Sequence, residues 1–522
     1  MRSATATLLM GAGTTKVGTQ VAERVAVIGA GMGGLFSALA LAPTGRQITI
    51  FEKDPPPPEG GLEGAFDHWA RRGVGHLRHS HGFLARLEGL IANEHPTLLD
   101  ELRAAGVREV AFRDWLAPPA QSLYHPRPED AQLTAFVSRR TTIELVMRRH
   151  VESLANVELV TDAFVRRPIF KQVARGPPIA VGLAVEDAAG GQREEMADLV
   201  IDAGGRASDT LDALAEMGVQ VPQEEEPCAI LYFTRFYRLL EGQDEPPRTD
   251  TGGTGDLGYL KFGVFRADHR TFSVTLAIPE VEENLRAAVV RPEIFERVCQ
   301  LLPGVAPWTD PKRAEPISRV FGMGDLTSRW REFAPRGKAL VLGYFPVGDV
   351  MVRTNPLYGR GCTFAGVEAH LLRDALAETA DPAQRLARYS EKVRAELRGF
   401  YDDMAAQDRS AAVRALKGLD PDYRSSVRGR LIASFVREGI GAAVRADPDL
   451  SRAALRSFHM LDAPNGWARR PSTLVKAART WIDWRLAGGR AAPRPGPARG
   501  EMLDRLGILV RLDIARVRAA GS

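Results

Sequence analysis

The sequence has few cysteines and no long hydrophobic run, and both absences restrict the class of protein. The three cysteines, Cys228, Cys299 and Cys362, stand far apart among 522 residues. They form neither a disulfide framework nor the paired spacing of a zinc site. No stretch approaches the roughly 18 apolar residues of a membrane-spanning helix. The N-terminal region also lacks a clear signal peptide. We therefore expect a cytoplasmic protein without a metal site.

A strong charge of one sign is also missing from most of the chain. The net charge is +4, and residues 381–522 hold 27 Lys and Arg against 16 Asp and Glu. The other 380 residues hold 42 against 49 and are mildly acidic. The basic excess is spread through helical patterns and carries no nucleic-acid-binding motif. We therefore expect no nucleic acid partner, and the length indicates two or three globular domains.

The first regular pattern is a strand, a glycine turn, a helix and a second strand. An apolar run at 24–28 is typical of a buried parallel strand, residues 33–42 predict a helix, and 47–51 is a β-branched strand. These elements form a βαβ unit. Glu52 ends the second strand, where a carboxylate can accept hydrogen bonds from ribose hydroxyls.

The turn inside this unit has the spacing Gly29-x-Gly31-x-x-Gly34. Gly29 allows the tight turn, Gly31 lets the backbone approach a diphosphate, and Gly34 allows the helix to pack on the sheet. The helix N-terminus then directs free N–H groups and the positive end of its dipole at the phosphates. The unit predicts dinucleotide binding but does not distinguish NAD from FAD.

A second set of motifs, in residues 341–364, narrows the cofactor. It contains Gly348-Asp349, Asn355-Pro356 and Gly359-x-Gly361. This segment resembles the FAD-dependent oxidoreductases of the p-hydroxybenzoate hydroxylase-like type, the group A flavoprotein monooxygenases. The resemblance covers roughly residues 22–380. It implies non-covalent FAD, with Asp349 accepting from a ribityl hydroxyl. It also implies that the Gly359 and Gly361 turn, with the helix after it, lies at the pyrimidine end of the isoalloxazine.

Weaker matches extend the resemblance along the chain. Asp202 to Ser208 resembles the middle Asp-Gly segment of the family. Arg140 aligns slightly better than Arg139 with the arginine that reaches the FAD phosphates, and a solvated surface charge is the alternative for either one. Val165 falls where the family presents backbone to the adenine.

The order of elements predicts an α/β FAD-binding Rossmann-like fold of the GR2 type, with an inserted antiparallel β-sheet substrate domain and a helical C-terminal region. The predicted parts are 22–220 for the first FAD-binding segment, with inserted loops and helices at about 65–135, 221–320 for the sheet, 321–384 for the returning FAD-binding segment, and 385–522 for the helices.

Several elements within these parts are predicted individually. Residues 230–237, 259–266 and 271–278 are aromatic and β-branched and predict antiparallel strands. Lys338–Leu342 has the pattern of a buried strand. A last helix is predicted near 501–519.

No catalytic motif stands out, and the most unusual cluster is Gly73-Val-Gly75-His76-x-x-His79-x-His81. It resembles a segment of one branch of these oxidoreductases, although Gly75 and His76 replace that branch's Pro-Gln. Three interpretations remain open: a loop that packs against the flavin, acid–base catalysis by His79 or His81, and a structural role. A metal site is disfavoured because no carboxylate or cysteine partner is suitably spaced.

The resemblance implies a monooxygenase. With NAD(P)H and O₂, reduced flavin would form a peroxyflavin that hydroxylates or epoxidises an aromatic, polyketide or isoprenoid-like small molecule. A flavin-dependent reductase or dehydrogenase acting on a carbon–carbon bond is the alternative, and a non-catalytic FAD-containing binding protein is a third. The Trp-x-Trp-x-Ile-Pro motif of the tryptophan halogenases is absent, which disfavours halogenation.

The C-terminal region contains an amphipathic segment at residues 470–490. Leu474, Ala478, Trp481 and Leu486 lie near one helical face, and basic residues lie elsewhere. Three roles are compatible with this pattern: covering the core of the protein, peripheral contact with a membrane surface, and a partner or homodimer face.

Overall fold

The protein is described from a computed structural model, which covers residues 22–248, 252–420, 423–489 and 494–508. Within these ranges no helix is both long and apolar enough to cross a membrane.

Strands alternate with helices in the FAD-binding segments, and most strands in the middle of the chain follow one another directly. In chain order they are β1 Arg24–Ile28, β2 Gln47–Phe51, β3 Arg108–Val110, β4 Ala135–Val137, β5 Val157–Val160, β6 Phe164–Lys171, β7 Ile179–Glu186, β8 Gln192–Met196, β9 Leu199–Asp202, β10 Gln223–Pro227, β11 Ile230–Leu239, β12 Thr254–Asp256, β13 Lys261–Arg266, β14 Thr271–Pro279, β15 Ala314–Pro316, β16 Phe321–Met323, β17 Thr327–Arg331, β18 Tyr344–Pro346 and β19 Val352–Arg353.

The helices dominate the C-terminal region, as the sequence predicts. They are α1 Met32–Leu41, α2 Gly61–His68, α3 Ala85–Glu94, α4 Pro96–Ala104, α5 Phe112–Trp115, α6 Pro118–Ser122, α7 Arg140–Glu152, α8 Thr210–Glu216, α9 Glu283–Val289, α10 Pro292–Gln300, α11 Gly361–Glu378, α12 Pro382–Leu419, α13 Val427–Ser434, α14 Ala442–Ala446, α15 Pro448–Phe458, α16 Pro471–Leu486 and α17 Arg499–Leu506. A π-helical segment, Phe435–Gly441, directly follows α13.

A parallel sheet of five strands forms the centre of the molecule, in the order β18-β9-β1-β2-β5. Its pairings β1–β2, β1–β9, β9–β18 and β2–β5 are all parallel. Strand β1 is almost entirely buried because helices cover the sheet, which explains its unbroken apolar sequence. The carboxyl ends of β1, β2, β9 and β18 therefore meet at one edge, where ligands bind in open α/β sheets.

The inserted sheet is antiparallel, as the sequence predicts. Its strand order is β12-β13-β14-β11-β15, and β16 also pairs with β11. The long pairing of β11 with β14 places their aromatic and β-branched side chains in register across the sheet. A smaller antiparallel sheet, β6-β7-β8, contacts β9 of the parallel sheet through β7. The predicted fold class is confirmed.

Two of the individual element predictions need correction. Lys338–Leu342 is not a strand but an irregular segment with a single bridge from Leu342 to Ile179. The returning strand is Tyr344–Pro346, because Gly343 takes a positive φ of 65° and turns the chain into the sheet edge beside β9. The last helix is Arg499–Leu506 and ends at Gly507, whose φ is 69°. The predicted continuation from residue 509 lies outside the described residues.

Two main hydrophobic cores organise the chain. The first contains the parallel sheet, α1 and α11, and it includes apolar residues of the long helix α12. The second contains the antiparallel sheet and α10, and it includes Met502, Leu503 and Leu506 of α17. The helices α12 and α17 thus join different cores. The domain boundaries given above stay a proposal.

Candidate functional site

One large cavity, of about 2380 Å³, opens at the carboxyl edge of the parallel sheet and continues under the antiparallel sheet. Ordinary small-molecule pockets measure about 300–1,000 Å³, so this cavity has room for a dinucleotide and a further molecule. Every predicted cofactor residue except Gly34 lines it, together with the predicted histidine loop.

The glycines of the first turn have three different geometries. A Cβ on Gly34 would lie 1.8 Å from the carbonyl oxygen of Gly29, so this position accepts only glycine. Gly29 has a φ of 88° and packs against the carbonyl of Ala203. Gly31 instead faces the cavity, where a Cβ would meet only Arg71 Nη2, at 4.0 Å. Space for a ligand therefore exists next to Gly31.

The N-terminus of α1 is prepared for an anion. Gly31 is its N-cap, and the first turn contains no acidic residue. The adjacent Arg71, which the sequence analysis missed, donates from Nη2 to the carbonyl of Ala30 at 3.1 Å. Its Nε and Nη1 are buried and have no hydrogen-bond partner in the described part of the chain. A guanidinium whose Nη2 lies beside a bare helix terminus fits a diphosphate.

Glu52 has a different set of contacts from the one predicted. Its carboxylate accepts from the backbone N–H of Ala30 at 2.8 Å and from that of Asp54 at 2.9 Å, and Arg71 Nη2 lies 3.4 Å away. The side chain thus ties the glycine turn to the end of β2. Each carboxylate oxygen has a second lone pair, and its predicted contact with a ribose stays a prediction.

The structure separates the two arginines that the sequence left as alternatives. Arg139 points away from the cavity and is buried between Asp268 and Glu63, at 2.8 and 2.6 Å. Arg140 lines the cavity and pairs with Glu144 at 3.0 Å. This placement favours Arg140 as the ligand-facing residue, and neither arginine is a solvated surface charge.

Glu144 connects the two ends of this basic site. It is fully buried, accepts from Arg140 through Oε2, and lies 2.8 Å from Arg71 through Oε1. Both guanidinium groups are therefore held in place by one carboxylate of α7. The arrangement orients them before any ligand arrives, which lowers the entropy cost of binding.

Asp349 and Val165 lie at other points of the cavity wall. Asp349 sits in the short 3₁₀ turn Gly348–Val350 that follows β18, and its carboxylate has no hydrogen bond to the described residues. Burial raises the pKa of Asp349, and the nearby Arg353 and Arg140 partly offset this effect. Val165 lies on β6, where its backbone borders the cavity next to the end of β2. Both positions agree with their predicted roles, which remain proposals.

The second glycine turn also opens a helix toward the cavity. Gly359 has a φ of 63°, and Gly361 begins α11, whose first turn has no acidic residue. A Cβ on Gly359 would lie 3.2 Å from the carbonyl oxygen of Gly82 in the histidine loop. Asn355 caps the preceding 3₁₀ turn by accepting from the N–H of Leu357 at 3.0 Å. The turn is thus held tightly, with its N–H groups at the cavity.

The histidine loop packs between α7 and the antiparallel sheet. Arg140 Nη1 donates to His76 Nε2 at 2.6 Å and to His81 Nε2 at 3.2 Å. His79 Nδ1 lies 3.0 Å from the hydroxyl of Thr234 on β11. Two of the three rings therefore accept from a cation, which metal ligands cannot do. No group of three ligating side chains in the described ranges is arranged to hold a metal ion.

The two candidate catalytic histidines differ in availability. His81 uses both ring nitrogens, because Nδ1 also donates to the carbonyl of His79 at 2.9 Å. His79 Nε2 has no hydrogen bond to the described residues and lies at the cavity. Burial lowers the pKa of His79 to about 4, and burial together with Arg140 lowers the pKa of His81 well below its usual value. Both rings are neutral at pH 7, and only His79 has a free nitrogen.

The neutrality of His79 predicts a change in stability with pH. The unfolded chain binds a proton on this ring near pH 6.5, whereas the folded chain binds it near pH 4. The free energy of unfolding should therefore fall as the pH decreases from 6.5 to 4. His79→Gln should reduce the slope by up to about 1.4 kcal/mol per pH unit. Urea titrations across this range measure the slope. His125→Gln, at an exposed histidine, is the control and should leave the slope unchanged. A slope in His79→Gln equal to that of the wild type would contradict the assignment.

The antiparallel sheet forms the far wall of the cavity. Tyr232, Thr234 and Phe262 line it, whereas Phe233 belongs to the sheet core and Phe236 packs edge-on against Phe66. Phe262 also contributes to the hydrophobic core of the sheet.

The amphipathic segment at 470–490 forms α16, but its apolar residues do not share one environment. Trp481 packs edge-on against Phe435 and donates from Nε1 to the hydroxyl of Ser434 at 3.0 Å. Leu474 and Leu486 are exposed, Leu486 by 82%. Only the Trp481 side of the helix therefore packs against a neighbouring segment of the protein.

Comparison with known proteins gives one sequence relative and many structural ones. No family model matches the chain. Protein Rv3254 of Mycobacterium tuberculosis is 28% identical over 457 residues, which cover 84% of this chain and 90% of that protein. The myxobacterial chondrochloren halogenase CndH, described as a variant of FAD-dependent halogenases, superimposes with a TM-score of 0.53. It is 17% identical, over 91% of this chain and 99% of that one.

A second solved structure leads to the same fold. PqsL of Pseudomonas aeruginosa, described as a probable FAD-dependent monooxygenase, has a TM-score of 0.52 and 17% identity, over 75% of this chain and 97% of that one. The chain thus has the fold of FAD-dependent monooxygenases and halogenases.

Proposed function

We propose that this protein is an FAD-dependent monooxygenase that uses NAD(P)H and O₂ to hydroxylate or epoxidise an aromatic, polyketide or isoprenoid-like small molecule. The observation that carries the proposal is the pair of open helix N-termini, α1 at Gly31 and α11 at Gly361, on one continuous cavity. One end suits a diphosphate and the other a ring system that gains negative charge on reduction.

The residues present fit FAD at each part of the molecule. Arg71 places its Nη2 beside Gly31, where the positive charge can attract the diphosphate. Asp349 offers an uncommitted carboxylate for a ribityl hydroxyl, and Val165 and Glu52 lie at the end expected for the adenosine. When bound, a flavin supplies the redox chemistry with O₂, which no side chain can provide.

The remaining residues bind the substrate and exclude water. Tyr232 and Phe262 give the sheet wall an apolar surface, and Thr234 positions His79 at the cavity. His79 can accept a proton through Nε2 because its ring is neutral at pH 7. The wall and the histidine loop together shield the reacting atoms from solvent.

A flavin-dependent reductase or dehydrogenase is the second candidate. The same cavity and the same open helix termini would serve a hydride transfer without O₂. The two reactions are separated by measuring turnover with and without oxygen. NAD(P)H oxidation with matching O₂ uptake supports the monooxygenase, whereas anaerobic turnover with an external donor supports the reductase. A bound flavin that no donor reduces would support a non-catalytic FAD-binding protein.

Arg71 gives the sharpest test of the cofactor itself. Arg71→Met removes the positive charge beside Gly31 and should weaken FAD binding by about 10- to 100-fold, or about 1.4–2.7 kcal/mol. Calorimetric titration of the apoprotein with FAD measures the change. Arg149→Met is the matched control, because the Arg149 side chain is exposed and does not line the cavity.

The controls must separate binding from folding. Circular dichroism should show that both variants are folded at the temperature of the titration. An apoprotein that never binds FAD would refute the proposed function, and equal affinities in Arg71→Met and the wild type would refute the role of Arg71.

A further inference from the structure

Arg353 is a buried cation that the cofactor assignment does not use. Its side chain lies at the end of β19, is 6% exposed and lines the cavity. No hydrogen bond and no ion pair within 4.0 Å links it to the described residues, and its Nη2 is completely buried. A buried charge without a partner costs several kcal/mol, so such a group is expected to meet an anion in use.

The neighbouring strand increases this cost. Arg353 is paired directly with Arg329 across the antiparallel ladder of β17 and β19. Like charges in opposite positions destabilise a sheet, and Arg329 has its own partner in Glu225 at 3.7 Å. Burial and the nearby Arg206 lower the pKa of Arg353, and the charge of Asp349 partly offsets this effect.

The position of Arg353 separates it from the diphosphate end. It stands two residues before Asn355, on the side of the cavity where β11 begins, and its electrostatic neighbours include Asp349 and Cys228. The charges of Arg206 and Arg353 against Asp349 leave one positive charge, which matches a monoanion. A guanidinium N–H donates to a carboxylate in a charge-assisted hydrogen bond.

We propose that Arg353 binds the carboxylate of the substrate, so that the substrate class is an aromatic or apolar carboxylic acid. The identification of the bound acid as the substrate rests on the proposed function. The anion site itself is defined by the residues. Among the described residues lining the cavity, sixteen Lys and Arg face seven Asp and Glu, which further favours an anionic ligand.

The test compares benzoate with its neutral analogue benzamide, titrated calorimetrically into the protein with and without FAD. The wild-type protein should bind benzoate at least about tenfold more tightly than benzamide. Arg353→Met should abolish this preference, Arg353→Lys should keep part of it, and Arg149→Gln, at an exposed arginine outside the cavity, should keep all of it. A parallel titration with bromide shows whether the site binds a simple inorganic anion instead.

Thermal unfolding without ligand gives an independent readout. Arg353→Met should raise Tm by about 2–4 °C, because it removes an uncompensated buried charge, whereas a structural arginine would lower Tm. No benzoate preference in wild type, an unchanged preference in Arg353→Met, or tighter binding of bromide than of benzoate would each overturn the proposal. A benzoate preference without FAD binding would instead refute only the proposed function.

A different observation concerns the surface of the C-terminal helices. Large apolar side chains are exposed at sixteen described positions, and ten of these fall between Tyr423 and Leu486. On α16 the inner side, at Ala477 and Trp481, packs against the π-helical segment. The opposite side exposes Val475, Ile482 and Leu486 at spacings of seven and four residues, which places them on one face.

Charge indicates what covers this face. Residues 423–489 hold 12 Lys and Arg against 5 Asp and Glu, a net charge of +7. Arg479 and Arg485 flank the exposed apolar side chains of α16, and Arg437 and Arg445 line the outer cavity. An apolar helix face bordered by arginines fits the interface of a membrane with anionic lipids. We infer that the Val475, Ile482 and Leu486 face docks on an anionic membrane surface.

Vesicle flotation tests this docking with the full chain. The protein should float with phosphatidylcholine vesicles that contain phosphatidylglycerol, less with phosphatidylcholine alone, and less at high salt. The triple variant Val475→Ser, Ile482→Ser and Leu486→Ser should lose flotation several-fold. Leu123→Ser with Val290→Ser, at exposed positions elsewhere, should not. The inference would be overturned if the wild type did not float, or if both variants lost flotation equally. It would also be overturned if light scattering showed a dimer that only the triple substitution dissociates.

Discussion

Gly31→Val should leave the protein folded and remove its ability to bind FAD. The backbone at Gly31 is extended, with φ −81° and ψ −172°, which valine adopts readily. Its side chain would project into the cavity, where only Arg71 Nη2 lies within 4.0 Å. It would therefore occupy the space of the diphosphate, and we expect the affinity for FAD to fall by at least about 100-fold, or about 2.7 kcal/mol.

Two other glycines make this result specific. Gly34→Ala should prevent folding, because its Cβ would overlap the carbonyl of Gly29 at 1.8 Å. Gly89→Val, in α3 with nothing within 4 Å of its Cβ, should bind FAD as wild type does. Calorimetry with FAD and circular dichroism distinguish these cases. Affinity within about threefold of wild type in Gly31→Val would show that the diphosphate lies elsewhere.

Arg139→Met should lower the free energy of unfolding by about 3–5 kcal/mol, the cost of leaving a buried carboxylate without its partner. Asp268 is completely buried and accepts from the guanidinium and the backbone N–H of Arg139 at 2.7–3.2 Å. Thr142 donates to it as well, at 2.7 Å. These bonds connect α7 with the turn between β13 and β14, so their loss weakens the contact between the two sheets.

Urea denaturation measures this loss. Arg149→Gln, an exposed residue of the same helix, should change stability by less than about 0.5 kcal/mol. Adding Asp268→Asn to Arg139→Met should recover part of the loss, because it removes the unpaired charge. An Arg139→Met protein as stable as wild type would mean that Arg139 carries no structural role.

The acid side of the stability curve should report the same pair. Burial opposes ionisation of Asp268, but its hydrogen bonds and the charge of Arg139 hold its pKa below the usual value. A depressed pKa in the folded state stabilises the protein above the unfolded value of 3.8, and this stabilisation is lost as the pH falls further. In Arg139→Met, the free energy of unfolding should therefore fall less steeply as the pH decreases below this value.

Local patterns were sufficient for the nucleotide-binding half of the fold. Residues 24–28 are a buried strand in the structure, and the Gly29 and Gly359 turns both open helices toward the cavity. These features depend on residues that are close in sequence. The strand prediction for Lys338–Leu342 was wrong because the four apolar residues 339–342 look the same in a strand and in a buried irregular segment.

Arg71 and Arg353 show what the pattern did not reveal. Both are single arginines without a motif, and 41 residues separate Arg71 from its partner Ala30. Their importance appears only where burial removes water and leaves their donors without partners. The choice between Arg139 and Arg140 has the same origin, because Asp268 lies 129 residues away from Arg139.

The sequence by itself determined that the chain forms a βαβ unit with a glycine turn suited to a dinucleotide, because strand alternation, glycine spacing and helix polarity act over a few residues. Only the tertiary structure decided which charges are compensated. It paired Arg139 with Asp268 and left Arg353 alone at the cavity, because burial and partner choice depend on segments brought together from distant parts of the chain.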